Sequence, residues 1–305
     1  MESNRESEYK YQKYDDLRGT QKRGDLKVRK LKVLLMMLAA SVLLLAACGS
    51  DKDEENEQAT NGEGEESYEL VKKGSLTFAA SGLYKPFNFE ENGELTGFDI
   101  EIGNAIAEKL GLEPNPVTNP FETIMQGLIG KKYDAIIGSM AYTKEREKQA
   151  NFTEPYYYSG GMIFVSKDNK DIKTEDDVKG KKIGVIAQST YEEPAKNLSD
   201  DIQYYSSDVV ALKDLTVENR LDAVITADIV GFEAIDNGFE IKEVGKPLWV
   251  EQPSIAIRPD NDALREAIDE ALAEMIEDGT YDEISQKWFD RNLLDLDLEG
   301  VELLE

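Results

Sequence analysis

Between Ser75 and Phe289 the chain alternates two kinds of apolar pattern. Short runs rich in β-branched residues, at Ser75 to Ala80, Tyr133 to Gly138 and Lys182 to Ile186, predict strands buried on both faces. Other stretches have helical spacing. Phe98 to Leu110 is stopped by Gly111, Phe121 to Ile129 follows Asn119-Pro120 as cap and first-turn proline, and Ala263 to Ile276 is apolar at 264, 268, 272 and 275. This alternation predicts parallel βαβ units with right-handed crossovers, hence an α/β fold of mostly parallel sheets flanked by helices. The roughly 230 residues involved can bury a full core and suit two lobes better than one.

Residues 133 to 158, YDAIIGSMAYTKEREKQANFTEPYYY, join one such strand to a polar turn and an arginine. Thr143 is placed to cap a helix whose first turn carries Arg146. In an open α/β sheet the ligand crevice lies beyond the carboxyl ends of the strands. The turn from Gly138 to Arg146 would project backbone N–H groups into it, and Arg146 adds a planar fork suited to a carboxylate. The same residues also suit a solvated surface turn. Residues 126 to 139, QGLIGKKYDAIIGS, are echoed by 213 to 228, KDLTVENRLDAVITAD. In each copy a helix-like stretch leads through a basic residue into Asp-Ala-(Ile/Val)-Ile and a polar end. The first runs on toward Arg146 and the second ends on Asp228, an arrangement suited to a zwitterion with its carboxylate at Arg146 and its ammonium at Asp228. Asp-Ala-Ile strands are also common in α/β proteins, so the echo alone leaves both readings open.

The N-terminal region reads differently. Lys27 to Lys32 holds four basic residues, Val33 to Ala47 is uncharged, and Leu45-Ala46-Ala47-Cys48 closes the run. That is the pattern of a lipoprotein signal peptide, and it is shorter than the roughly 20 apolar residues of a membrane span. The expected organisation is residues 28–47 as signal peptide, Cys48 as the lipidated residue and 48–70 as an acidic disordered tether. Residues 1–27 contain ESEYKYQKYDD, unsuited to a leader, and are read as not translated, with Leu26 or Val28 as alternative starts and Val28 giving an ordinary lipoprotein leader. Cys48 is the only cysteine and there is no histidine, which excludes Ser-His and Cys-His nucleophiles and any Cys- or His-based metal site. Neither a metal nor a cofactor is expected. With 62 acidic residues, pairs of carboxylates carry no information. Loss of residues 1–47, which carry a net +4, takes the formal charge from −27 to −31. So acidic a surface disfavours nucleic acid and anionic membrane as partners.

Six segments stand in register from about Gly74 to Leu293: SGLYKPFNF (81–89), LTGFDIEIGNAIAEKLG (95–111), the 133–158 stretch, DVKGKKIGV (177–185), LDAVITAD (221–228) and DGTYDEISQKWF (278–289). Together they resemble the amino-acid-binding proteins of ABC importers, the bacterial extracellular solute-binding proteins of family 3, with the type II periplasmic-binding fold. The resemblance implies a lobe of residues 71–157 with 252–305 and a second of 158–251, hinged at Pro155–Gly161 and Trp249–Ser254. It implies a monomer, lipid-anchored through Cys48 outside the cell membrane of a Gram-positive organism, that closes over an amino acid and docks on permease subunits.

Carried over residue by residue, Tyr84 and Phe121 would flank the ligand side chain, and Ser139, Met140 and Ala141 would offer backbone to its charged ends. Arg146 would clamp the carboxylate together with Ser189 and Thr190, and Asp228 would meet the ammonium. Ser81 stands where many relatives binding basic amino acids or glutamine carry an acid, Ala141 replaces a Ser or Thr, and Ala227 replaces a polar side chain. These departures imply a neutral or polar amino acid. Two alternatives share the resemblance: an amino-acid-sensing receptor or adhesin lipoprotein, and a cyclohexadienyl dehydratase-like enzyme acting through a lone buried glutamate.

Overall fold

All six residues of Ser75–Ala80 are buried, because this strand lies inside a sheet with parallel partners on either side. In a computed structural model the protein is described over residues 68–295 and 303–304. The expectations for residues 1–27, the signal peptide, Cys48 and nearly all of the tether lie outside the described residues.

The first strands are β1 (Ser75–Ala80), β2 (Leu83–Tyr84), β3 (Asn88–Glu91), β4 (Glu94–Thr96), β5 (Glu113–Thr118), β6 (Ala135–Ile136) and β7 (Asn151–Pro155). The chain continues with β8 (Ser159–Ser166), β9 (Ile183–Ile186), β10 (Ile202–Tyr205), β11 (Ala223–Ala227), β12 (Ile241–Glu251) and β13 (Ser254–Ile257). The helices are α1 (Phe98–Lys109), α2 (Phe121–Ile129), α3 (Lys144–Glu147), α4 (Glu192–Leu198), α5 (Asp208–Asp214), α6 (Asp228–Asp236), α7 (Asp262–Asp278) and α8 (Thr280–Phe289).

One five-stranded sheet has the order β5-β1-β6-β13-β7 and another β10-β9-β11-β8-β12, while β2, β3 and β4 form a small antiparallel sheet. In the first large sheet β1 runs parallel to β5 and β6, and β13 antiparallel to β6 and β7. In the second, β9 runs parallel to β10 and β11, and β8 antiparallel to β11 and β12. Each is therefore parallel where helices alternate with strands and antiparallel where the chain changes sheet. It passes from first to second between Pro155 and Ser159 and returns between Glu251 and Ser254.

Helix α7 is longer than its periodicity predicts and ends where Gly279 takes φ of 90°, a left-handed cap that a side chain resists. Its stripe of Leu264, Ile268, Leu272 and Met275 is buried, as the spacing requires. The strand expected over Tyr133–Gly138 is paired only at Ala135–Ile136. Hydrogen bonds from Asp134 N–H to Thr77 (2.7 Å) and from Ile137 N–H to Ala79 (3.1 Å) extend the contact with β1 on both sides of that short pairing.

The internal echo has a structural cause. Asp134 N–H donates to the Thr77 carbonyl, and Thr77 N–H donates back to Asp134 Oδ2 at 2.9 Å. In the second sheet Asp222 N–H donates to the Lys182 carbonyl and Lys182 N–H to Asp222 Oδ2, both at 2.9 Å. The aspartate of each Asp-Ala-Ile or Asp-Ala-Val run thus clamps the neighbouring parallel strand near its start, at the end opposite the ligand crevice. The copies differ in burial. Asp134 is fully buried, also accepts Val71 N–H at 2.7 Å and faces the buried Arg258 guanidinium at 3.7 Å, whereas Asp222 is exposed.

Candidate ligand-binding site

A cavity with about 490 Å³ of space between protein atoms, part of it open to solvent, lies where elements of the two large sheets meet. The first-sheet side contributes Ser81, Tyr84, Phe121, Ser139, Ala141 and Arg146, and the second Ser189, Thr190, Tyr191 and Asp208, with Glu251 at the return crossing. Two hydrogen bonds join the sides directly, from Ser207 Oγ to the Leu83 carbonyl (3.1 Å) and from Arg146 Nη2 to the Gln188 carbonyl (3.0 Å).

Arg146 is held by its own turn. Thr143 caps α3 by accepting Arg146 N–H at 3.1 Å, and Nη1 donates to the Ala141 carbonyl at 2.8 Å. The guanidinium lies 5.8 Å from the Phe121 ring centroid, within reach of a cation–π attraction. Burial pulls its pKa below the ordinary value, and the negative Glu251 opposes that shift. Among the described residues its hydrogen bonds go to neutral carbonyls and it forms no ion pair. The fork is thus fixed in direction.

Behind the wall sits Asp99, with no solvent exposure. It accepts Tyr156 OH at 2.6 Å, Asn88 Nδ2 at 2.6 Å and Ser139 Oγ at 2.9 Å. Asn88 Oδ1 accepts Ser81 Oγ at 2.8 Å and Gly82 N–H at 3.0 Å, so one network orients both cavity serines. Burial pushes Asp99 up to about 6 even against its three donors. Ser139 has φ of 56°, and its N–H donates to Tyr156 OH at 2.9 Å. Both Ser139 donors therefore point into the protein. Tyr142 N–H is likewise taken, by the Gln252 carbonyl. The turn offers fewer free N–H groups than its sequence suggests.

Ser189 and Thr190 also reach the cavity, but their hydroxyls are engaged. Ser189 Oγ donates to the Ile186 carbonyl at 2.7 Å, and Thr190 Oγ1 donates to Glu251 Oε1. Helix α4 begins later, at Glu192. Glu251 also accepts Tyr191 OH at 2.8 Å and Trp249 Nε1 at 3.3 Å. Its burial raises its pKa, while those hydrogen bonds and Arg146 pull the other way.

Met140, 1% exposed, packs its side chain in the cluster with Ile124, Leu128 and Ile136, so only its backbone is left to face a ligand. Asp228 is not among the residues lining the cavity. As the first residue of α6 it accepts Ile229 N–H (2.7 Å), Gly160 N–H (3.0 Å) and Ser159 Oγ (3.0 Å) on one oxygen, which fastens the helix to the start of β8. The acids facing the cavity are Asp208 and Glu251, neither singled out by sequence reasoning. Asp208 looks like an ordinary acidic first-turn residue after Ser207, yet it is only 4% exposed. Glu251 is one acid among 62. Its sole distinguishing signal was its place at the return crossing.

Residues 76–291 match the family model described as bacterial extracellular solute-binding proteins, family 3. The chain belongs to this family. The probable amino-acid-binding protein YxeM of Bacillus subtilis (strain 168) is 34% identical over 278 residues, which is 88% of this chain and 98% of that relative. The L-cystine-binding protein TcyJ of Escherichia coli (strain K12) is 33% identical over 225 residues, 72% of this chain and 84% of the relative. Among solved structures, an ancestral arginine-binding protein bound to glutamine superposes with a TM-score of 0.67 at 38% identity, covering 72% of this chain and 99% of that one. The fold is accordingly the two-lobed type II periplasmic-binding fold. The family is one of solute-binding proteins, and these relatives are named as binding proteins for amino acids.

Proposed function

We propose that this chain is the receptor of an ABC importer and closes over one free amino acid between lobes of residues 71–157 with 252–305 and residues 158–251. The observation that carries the reading is the Arg146 fork, directed into the cavity with only carbonyl partners and set among hydroxyls, three aromatic rings and two carboxylates. A carboxylate entering there gains charge-assisted hydrogen bonds and a bidentate geometry. Arg146 and Asp208 come from different sides of the cavity, so a ligand touching both favours the closed form by differential affinity. The relatives named for amino acids support the same class of ligand. The Cys48 lipid would hold the receptor at the outer face of the membrane, beside its permease, which is checked by release of the Cys48→Ser protein from the membrane fraction.

The neutral or polar ligand expected from sequence rested partly on Ser81, whose hydroxyl is bound to Asn88, and left Asp208 and Glu251 out of account. We do not keep that preference. The test is a thermal melt of the full chain with each of the twenty amino acids, cystine and ornithine. At a hundred times its dissociation constant, a bound amino acid adds about 2.7 kcal/mol of stability, and it is recovered chemically unchanged after long incubation. Stabilisation by a sugar or a peptide with none by a free amino acid overturns the proposal, and turnover of the added amino acid favours the enzyme instead.

A further inference from the structure

We infer that the amino acid bound here carries a cationic group on its side chain, a guanidinium or an ammonium, and that Asp208 is the residue that selects it. The inference rests on the proposed function and goes beyond it to the chemical class of the ligand.

The cavity is lined by one guanidinium, Arg146, and two carboxylates, Asp208 and Glu251. A zwitterion with a neutral side chain places one carboxylate against Arg146 and one ammonium against one of the acids. The other acid then stays enclosed without a counter-ion, which is a costly arrangement. A second cation on the ligand removes that cost.

The two acids are not equivalent. Glu251 accepts Thr190 Oγ1, two residues beyond the Gln188 carbonyl to which Arg146 Nη2 donates at 3.0 Å, so it lies toward the end where the ligand's carboxylate and adjacent ammonium would sit. It is also held by Tyr191 and Trp249. Asp208 follows Ser207, whose Oγ donates at 3.1 Å to the carbonyl of Leu83, the neighbour of Tyr84, and Tyr84 is the aromatic expected beside the ligand side chain. Among the described residues its one side-chain donor is Thr226, and no ion pair neutralises it. These contacts set the order guanidinium, Glu251, Asp208 along the cavity. That order matches carboxylate, α-ammonium and distal cation in a basic amino acid. The Tyr84 ring adds a face over which such a cation is attracted. Asp208 takes the part that Ser81 cannot, and it does so from the opposite side of the cavity.

The test is calorimetric titration of the full chain with two matched pairs, L-arginine against L-citrulline and L-lysine against L-norleucine, which differ in the side-chain charge. In at least one pair the cationic member is expected to bind at least roughly tenfold tighter. Asp208→Asn should shrink that ratio to about threefold or less, with the circular dichroism spectrum unchanged, and Asp208→Glu should keep the preference. A ratio below about threefold in both pairs for the unaltered chain, or a ratio that survives Asp208→Asn, overturns the inference. If Asp208→Asn does not fold, the unaltered chain's ratio and that of Asp208→Glu decide. Tight binding of neutral amino acids alone overturns it while leaving the proposed function standing. Failure of every free amino acid to bind removes the proposed function itself.

Discussion

Asp134→Ala is expected to lower the stability of the folded chain by about 3–5 kcal/mol, the usual cost of removing one partner from a buried ion pair. Three losses coincide at this position. The buried Arg258 guanidinium loses its one buried carboxylate and keeps, among the described residues, only the exposed Asp260 at 3.1 Å and Glu69 at 3.9 Å, and the N–H groups of Val71 and Thr77 lose their acceptor. The space vacated is also sealed from water, since Asp134 is fully buried and Arg258 only 2% exposed. The equivalent change in the second sheet, Asp222→Ala, removes a clamp of the same hydrogen-bond geometry from an exposed site. Water can replace the lost acceptor there, so a loss near 1 kcal/mol is expected, that of a single ordinary hydrogen bond. Equilibrium unfolding in urea of the two variants beside the unaltered chain measures both. Equal losses would show that burial and Arg258 contribute nothing to the first clamp.

That pair also shows what the sequence could and could not convey. The alternating pattern sufficed for the α/β class, the buried strands and the helix containing Leu264, Ile268, Leu272 and Met275, because period and β-branched content follow directly from packing. The Asp-Ala-Ile echo was visible, but its meaning was not. Both aspartates clamp strands, and the distinction between them is burial, which depends on Arg258, more than a hundred residues away in the chain. Arg146 could be read because its cap and turn are local, with Thr143 three residues before it. Asp228 was misplaced for a related reason. A carboxylate at a strand end can face the crevice or turn back onto the backbone, and its neighbours Ser159 and Gly160 come from a different part of the chain. Asp208 and Glu251 were hidden by number, since nothing local separates a buried acid from an exposed one in so acidic a chain. Ser81 and Ser139 were both named, but not the Asp99 network that turns their hydroxyls inward. Such a network joins residues that no periodicity links.

Arg146→Ala is the largest functional change expected. The guanidinium is worth more than its own hydrogen bonds, since a carboxylate bound without it is enclosed among Asp208, Glu251 and the Tyr84 and Tyr191 rings with no cation to face. The fold does not depend on it. Its partners are two carbonyls at the cavity edge, and α3 keeps its Thr143 cap through the backbone N–H of residue 146. Titration of the unaltered chain, Arg146→Lys and Arg146→Ala with the amino acid that stabilises the protein most is therefore the most direct measurement of the central claim, a receptor that holds a free amino acid by its carboxylate. The alanine protein is expected to bind roughly tenfold to a hundredfold more weakly with its circular dichroism intact, and the lysine protein to recover part of the loss, because an ammonium cannot reproduce the planar fork. Affinity within about threefold of the unaltered chain in Arg146→Ala would contradict the account.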